Sequence, residues 1–279
     1  MIKFALRNEY NQEFALNTLK STYMPNPSGL GYSLSGEYTR IAHGWVSGGL
    51  ADDQPEMSGD IYFQSDDAFK SFSSFMKFVR MASKLKFVYQ NTAGEYLRDV
   101  DIIGVEHSGM VGVNTVKCTV TMAARSLWYL NSVTNYTISS IAPDAMRYAY
   151  RFPGRFRGTV NGEIEIVNNG SVEAPFTVSF TGPISNPSVS LRQNGVETAR
   201  MEILGEAARD ESIELSTVDG DLYCYLKTAE GKTNLTERLN IENDNFFKIP
   251  VGTSTIKLDS DGEITQPIKV TVKKLFRAV

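Results

Sequence analysis

The sequence predicts a mainly β protein of two domains, and three observations predict it. Short apolar runs bounded by turn residues recur along the chain, one segment alternates apolar and polar residues with period two, and a single segment carries a helical stripe. At roughly 150 residues per domain, the 279 residues make two domains. A hydrophobic share of 42% and a charged share of 22% match ordinary globular usage. A chain of this length buries a core without disulfide or metal staples.

In the first half, Ile61-Tyr62-Phe63 and Leu85-Lys86-Phe87-Val88-Tyr89 read as short strands. From Asn114 to Met122 the alternation is strict: Val116, Cys118, Val120 and Met122 take one face, Thr115, Lys117, Thr119 and Thr121 the other. This is a half-buried antiparallel strand, with Cys118 as a small core hydrophobe. Between these strands, Phe69, Phe72, Met76, Val79 and Ala82 form an apolar stripe widened by Phe75 and Phe78. Ser65 serves as N-cap, Asp66 and Asp67 suit the first turn, and the expectation is an amphipathic helix of about five turns packed on a sheet.

The seam falls between Trp128 and Arg147. Asn131–Asn135 is small and polar and Ala142-Pro143-Asp144 is a turn signal, which sets domains of 1–135 and 136–279. Beyond it the texture is almost wholly β. Strands are expected at Glu163–Val167, Phe176–Phe180, Val189–Leu191, Ile213–Leu215, Leu222–Leu226, Ser254–Leu258 and Ile268–Lys273. Regular short strands separated by turns such as Asn168–Ser171, Gly182-Pro183 and Asn186-Pro187 predict a β-sandwich. The first domain reads as a β-barrel or sandwich-like body with one packed helix.

Composition argues against several functions. Residues 1–130 carry 12 bases and 13 acids, the remainder 16 and 19, so no basic field for a phosphate backbone exists in either half. A structural zinc site would need both cysteines and both histidines in one place, or carboxylate help, and no metal or other cofactor is expected. The first residues lack the apolar core of a signal peptide and no run of 18 apolar residues occurs, so the expectation is cytoplasmic folding and no membrane span.

No catalytic pattern stands out. His43 and His107 lie in no nucleophile motif, and the chain after residue 130 has no histidine. Asp52, Asp53, Glu56 and Asp60 lie in what reads as a long Gly- and Pro-containing loop, with solvation favoured over a calcium site. Asp259–Glu263 reads as an Asp-Gly hairpin. Arg147–Arg157 interleaves four arginines with four aromatics. That pattern suits base stacking, but Tyr148, Tyr150 and Phe152 alternate as one strand face, and a sheet strand or subunit contact is favoured. Scattered carboxylates leave a cell-wall hydrolase open.

Taken in order, several segments resemble the distal tail protein family of siphovirus-type bacteriophages. They are Asn26-Pro27-Ser28-Gly29-Leu30-Gly31, Gly59–Phe63 running into the aromatic helix, Leu85–Tyr89, Arg98-Asp99-Val100 and Ser126–Tyr129. In the second half they are the aromatic-arginine strand, Glu163–Ser171 followed by Ala174-Pro175, Gly182–Pro187 and Lys248-Ile249-Pro250-Val251-Gly252. The last departs from the family pattern, with Val251 where a second proline is usual and Thr253 where an asparagine is usual. The resemblance implies a non-enzymatic hub in the virion tail tip, assembled in the host bacterial cytoplasm. It implies a homo-hexameric ring between the tail tube protein and a tail-tip protein, with a channel through which DNA passes as cargo. It implies a galectin-like second domain facing outward, which in some relatives anchors a receptor-binding protein.

The absence of histidine and tryptophan after Trp128 removes the galectin sugar-site pattern, so the second domain reads as a docking module rather than a lectin. The alternative function is a carbohydrate-binding module attaching a virion to host cell wall. Subunit contacts are expected from the Val46–Met57 loop and the Arg98–Met122 hairpin, with Val46, Ser47, Leu50, Asp53, Met57, Arg98 and Val113 as candidates. Tyr148, Tyr150, Arg151, Phe152 and Arg155 are the docking or strand-interface candidates.

Overall fold

A computed structural model describes residues 2–18, 21–136, 162–243, 246–261, 264 and 266–279. The chain divides into two compact units, Met1–Leu130 with Phe276–Val279, and Asn131–Leu275. The fold is mainly β with one α-helix, as the sequence patterning predicts.

The first unit contains β1 (Lys3–Asn8), β2 (Glu13–Ala15), β3 (Thr22–Tyr23), β4 (Leu34–Ile41), β5 (Gly44–Asp52) and β6 (Glu56–Gln64). Helix α1 (Ala68–Met81) follows, then β7 (Leu85–Gln90), β8 (Glu95–Gly112), β9 (Thr115–Ala124) and the start of β10 (Trp128–Tyr136). One set of strands runs β10-β8-β7-β1-β2, and another runs β8-β9-β6-β3. Strand β8 belongs to both. Glu95–Val100 pairs with β7, and Val100–Gly112 pairs with β9 across three register shifts. Strand β9 buries Val116, Cys118, Val120 and Met122 on one face, as its alternation predicts. These side chains join Phe63, Phe75, Phe87 and Trp128 in one core.

Helix α1 differs from its expected bounds. Its N-cap is Asp67, whose carboxylate accepts the Lys70 N–H at 3.0 Å, while the Ser65 hydroxyl meets Ser71 instead. The 14-residue helix makes about four turns. Its stripe centres on fully buried Phe75, which packs on Phe14 and Phe63, whereas Phe69 is half exposed. The Glu9 carboxylate reaches the chain just past the helix, accepting the Ser83 hydroxyl at 3.0 Å and the Ser83 N–H at 3.1 Å.

The second unit contains β11 (Gly162–Asn168), β12 (Phe176–Thr181), β13 (Ile184–Ser185), β14 (Ser188–Gln193), β15 (Val196–Glu202) and β16 (Glu206–Ala207). After these come β17 (Ser212–Val218), β18 (Asp221–Lys227), β19 (Lys232–Asn234), a 3-10 turn at Thr236–Arg238, β20 (Gly252–Asp259) and β21 (Ile268–Phe276). Strands β19-β18-β17-β12-β21 form one sheet and β11-β20-β14-β15 the other. Ile164, Val189, Leu191 and Ile256 from one sheet share a core with Phe176, Val178, Leu215 and Val270 from the other, which makes a β-sandwich.

Two local expectations are corrected. Strands β20 and β21 lie in different sheets, so Asp259–Asp261 begins a crossing between them and not a hairpin. The expected loop at Gly48–Asp60 is mostly strand: Gly48 and Gly49 sit at a register shift opposite Glu37, where a bulge suits glycine.

Two predictions follow from this packing. Phe75→Ala should cost about 3–5 kcal/mol in urea unfolding, and Phe69→Ala less than about 1 kcal/mol; similar costs would count against a stripe centred on Phe75. The Glu9 carboxyl is lowered from 4.5 to about 2, first by its own backbone N–H and then by that of Ser83. The support it lends is complete above the ordinary carboxylate range and is lost as pH falls toward its folded value. The Tm gap between the parent and Glu9→Gln should therefore close from about pH 5 to 2; a constant gap would reject the tether.

Candidate functional site

The most unusual surface of the first unit is the β4–β5 hairpin, which pairs with no other strand among the described residues. Every residue from Gly31 to Ala51 is exposed. His43 lies in its turn, beside Ala42 in the left-handed region at φ 44°. Within β4 and β5, six of the exposed residues are large hydrophobics: Leu34, Tyr38, Ile41, Trp45, Val46 and Leu50. The register sets Arg40 opposite Trp45 and Tyr38 opposite Ser47, so Tyr38 and Trp45 share a face, while Val46 opposite Thr39 takes the other. Leu50 lies over Gly36, its Cδ2 2.6 Å from where a Cβ on that glycine would stand. A two-stranded hairpin is at best marginal alone in water, and one that exposes this many large apolar side chains is a candidate interaction site.

Both roots of this arm are pinned. On the way in, the Trp128 indole N–H donates to Leu30 O at 3.1 Å and Arg98 Nη1 donates to Gly29 O at 3.1 Å. On the way out, the Asp53 N–H donates to Ser33 O, the Ala124 N–H to Pro55 O, and Gln54 Nε2 to Ala124 O.

The structure sorts the expected contact residues. Val46, Ser47, Leu50 and Asp53 are exposed on the arm or its root, and Val113, 93% exposed, caps the β8–β9 hairpin. Met57 and Arg98, both at 0% exposure, are corrections. Strand alternation turns Met57 into the core beside Met122, and places Arg98 opposite Phe87 on the inward face of β8. Neither is available to a neighbouring subunit. Tyr148, Tyr150, Arg151, Phe152 and Arg155 lie outside the described residues. The exposed residues Tyr38 and Trp45 were missed, because exposure of an apolar side chain leaves no mark in the sequence.

The chemistry-bearing residues are absorbed structurally. Asp60 faces Thr119 across β6–β9 and pairs with Lys117 Nζ at 2.8 Å, and hydrogen bonds from Lys117 and then Thr119 hold its carboxyl below its ordinary value. His107 lies within β8, its ring 4.9 Å from that of Phe72. Among the described residues no three His, Cys, Asp or Glu side chains cluster as metal ligands, and no helix is long and apolar enough to cross a membrane. In the second unit the Asn168 amide donates to Val172 O and Ile249 O and its carbonyl accepts the Gly170 N–H, so this motif residue is a joint between loops.

Cys118 and Cys224 are fully buried, and burial raises their thiols to about 11 and about 12, with Asp60 adding to the first. An aromatic disulfide reagent at about pH 8 should find no thiol in the native protein and both after denaturation. Rapid native labelling would contradict their burial.

Comparison with known proteins bears on the same elements. Residues 3–125 match the family model described as the distal tail protein, N-terminal domain. The whole chain is similar in fold to a chain of the phage P2 baseplate in its activated conformation with calcium, at 15% identity, TM-score 0.67 and full coverage of both chains. The strontium form of that baseplate gives 15% identity, TM-score 0.69 and the same coverage. The phage SPP1 Dit protein, described as a paradigm of hub adsorption apparatus in phages infecting Gram-positive bacteria, aligns over 97% of this chain and 98% of its own, at 11% identity and TM-score 0.60. No curated protein sequence matches the chain. The matched residues 3–125 carry the β8–β9 hairpin, the helix and the exposed arm, so it is this part of the chain that is similar to the N-terminal domain of distal tail proteins.

Proposed function

We propose that this protein is a structural hub of a phage tail tip, without enzymatic activity, that joins the tail tube protein to the tail-tip protein. In this reading residues 1–135 build a homo-hexameric ring around a channel for passing DNA. Residues 136–279 form an outward docking domain that takes up a receptor-binding protein, with Tyr148, Tyr150, Arg151, Phe152 and Arg155 assigned to docking. The particle is assembled in the cytoplasm of the host bacterium and works on the virion. A net charge of −4 suits a wall that DNA must pass without sticking.

The observation that carries the ring is the β4–β5 arm. Burying one large apolar side chain contributes about 1.5–3 kcal/mol, and the arm exposes six of them. Several buried against a neighbouring copy outweigh the cost of ordering the arm. Val46, Ser47, Leu50 and Asp53 are contact residues in this reading, with Tyr38 and Trp45 added, and Val113 contributes from the second hairpin.

The test is to remove the arm without disturbing its roots. Ser35 and Ala51 face each other in register, so Gly36–Leu50 can be replaced by a two-residue Asn-Gly turn. Light scattering after size exclusion should give the parent a mass near six times 31.0 kDa and the shortened chain the mass of a folded monomer. A hexamer that survives the deletion, or a parent that stays monomeric at every concentration, would overturn the assignment of the ring to this arm.

A further inference from the structure

Arg98 is a charged side chain placed where folding ordinarily allows none. It stands on β8 at 0% exposure and forms no ion pair with any carboxylate among the described residues. Its contacts are backbone carbonyls: Nε donates to Ser126 O at 2.9 Å and Nη1 to Gly29 O at 3.1 Å. The guanidinium carbon lies 5.2 Å from the ring centroid of Trp128, and Nη2 has no partner among the described residues. Desolvation lowers its pKa to about 10, which still leaves the group charged at neutral pH. A buried cation without a counter-charge is costly, so its retention calls for a physical reason beyond filling space.

That reason lies at the far ends of its hydrogen bonds. Gly29 has no side chain to pack and Leu30 packs only partly against the core, yet they begin the stretch that becomes the exposed arm. Gly29 adopts the left-handed region at φ 81°, and a Cβ there would stand 2.3 Å from Glu56 O. Ser28 already ties this segment to Ser58 through its N–H and its hydroxyl, and at Gly29, which has no side chain, the remaining hold is the carbonyl. A guanidinium offers planar, fixed donors that reach two segments at once and stack on an indole, which an apolar side chain of the same length cannot do. The Trp128 indole N–H takes the next carbonyl, that of Leu30.

We propose that Arg98 and Trp128 are positioning residues for assembly: they clamp the entry root of the β4–β5 arm and fix the direction in which the arm is offered to a neighbouring copy. The purpose rests on the ring reading above, while the clamp itself is a property of the single chain.

The test measures arm motion in the monomer. Cys118 and Cys224 are fully buried, so a fluorophore on Ser47→Cys reports the arm alone, and time-resolved anisotropy is read at monomeric dilution. Three variants are compared with the labelled parent: Arg98→Met, Arg98→Lys and Trp128→Phe. Val178→Ala, in the core of the second unit, serves as a control that lowers Tm without touching the clamp. The fast-motion amplitude should rise about two-fold in the three clamp variants and stay unchanged in the control. An amplitude unchanged in the clamp variants, or raised equally by the control, overturns the proposal. Should the Arg98 variants fail to fold, Trp128→Phe decides, since it keeps an aromatic ring and removes the N–H donor. A loosened arm beside a parent that never assembles would leave the clamp standing and remove the ring. A rigid arm in every variant of a hexameric parent would do the reverse.

Discussion

Strand β8 serves two sets of strands, and the rest of the first unit depends on that division. Val100 is the hinge of it, opposite Leu85 of β7 and also opposite Ala124 of β9. Beyond Val100 the strand leaves its first partner and passes through register shifts, each adding bend and twist. The bend brings Phe87 from one set of strands and Phe63 from the other into a common core, and the helix covers it with Phe75. Because side chains alternate along a strand, the same bend decides that Arg98 points inward with Val100 while Asp99 points away. The buried guanidinium is therefore a consequence of strand register at the corner, and the clamp on Gly29 is what the register makes available.

The second unit meets a different constraint, the crossing of the chain between two sheets. Strand β11 ends in one sheet and β12 begins in the other, so Asn168–Pro175 must change layers within a few residues. Asn168, almost fully buried, makes this possible by serving backbone groups on both sides of the crossing. The bridge between Ala174 and Ile249 then ties the crossing to the loop before β20. The next turn is held in the same way: Asn186 exchanges hydrogen bonds with Gly205, and a Cβ on Gly182 would stand 2.1 Å from Ala208 O. The Asn-, Gly- and Pro-rich segments that carry the resemblance are thus joints of the sandwich, where particular residue types are needed for geometry and not for chemistry.

The parts of this fold legible in the sequence are those where one face is buried and the other is wet. Strand β9 shows its burial as strict alternation, and the helix shows its stripe, because in each the solvent boundary runs along the element. The helix start was misplaced by two residues because Ser65 and Asp67 are equally good caps by type, and only the path of the chain chooses between them. The arm was hidden for the opposite reason. With water on both faces it has no buried side to set a period, and its bulge glycines imitate a loop. Met57 and Arg98 were misread because a position beside a turn-rich segment, or a charge, ordinarily means surface, and strand register at the corner overrode both priors.

Arg98 and the arm together invert the usual arrangement of side chains in water. The first unit keeps a cation fully inside and sets a tryptophan, Trp45, 67% exposed outside. For a chain whose working state is the isolated monomer, both placements cost stability or solubility with nothing to offset them. For a chain that works within an assembly the two costs have one origin. On the proposed assembly, the apolar arm is exposed because its partner surface belongs to another molecule, and the buried cation is tolerated because an arm must leave the body at a fixed angle to find that surface. Binding by a preordered arm loses less conformational freedom than binding by a loose one, so rigidity at the root converts directly into affinity at the tip. This connection between an interior charge and an exterior apolar face is the physical ground on which the assembly reading rests.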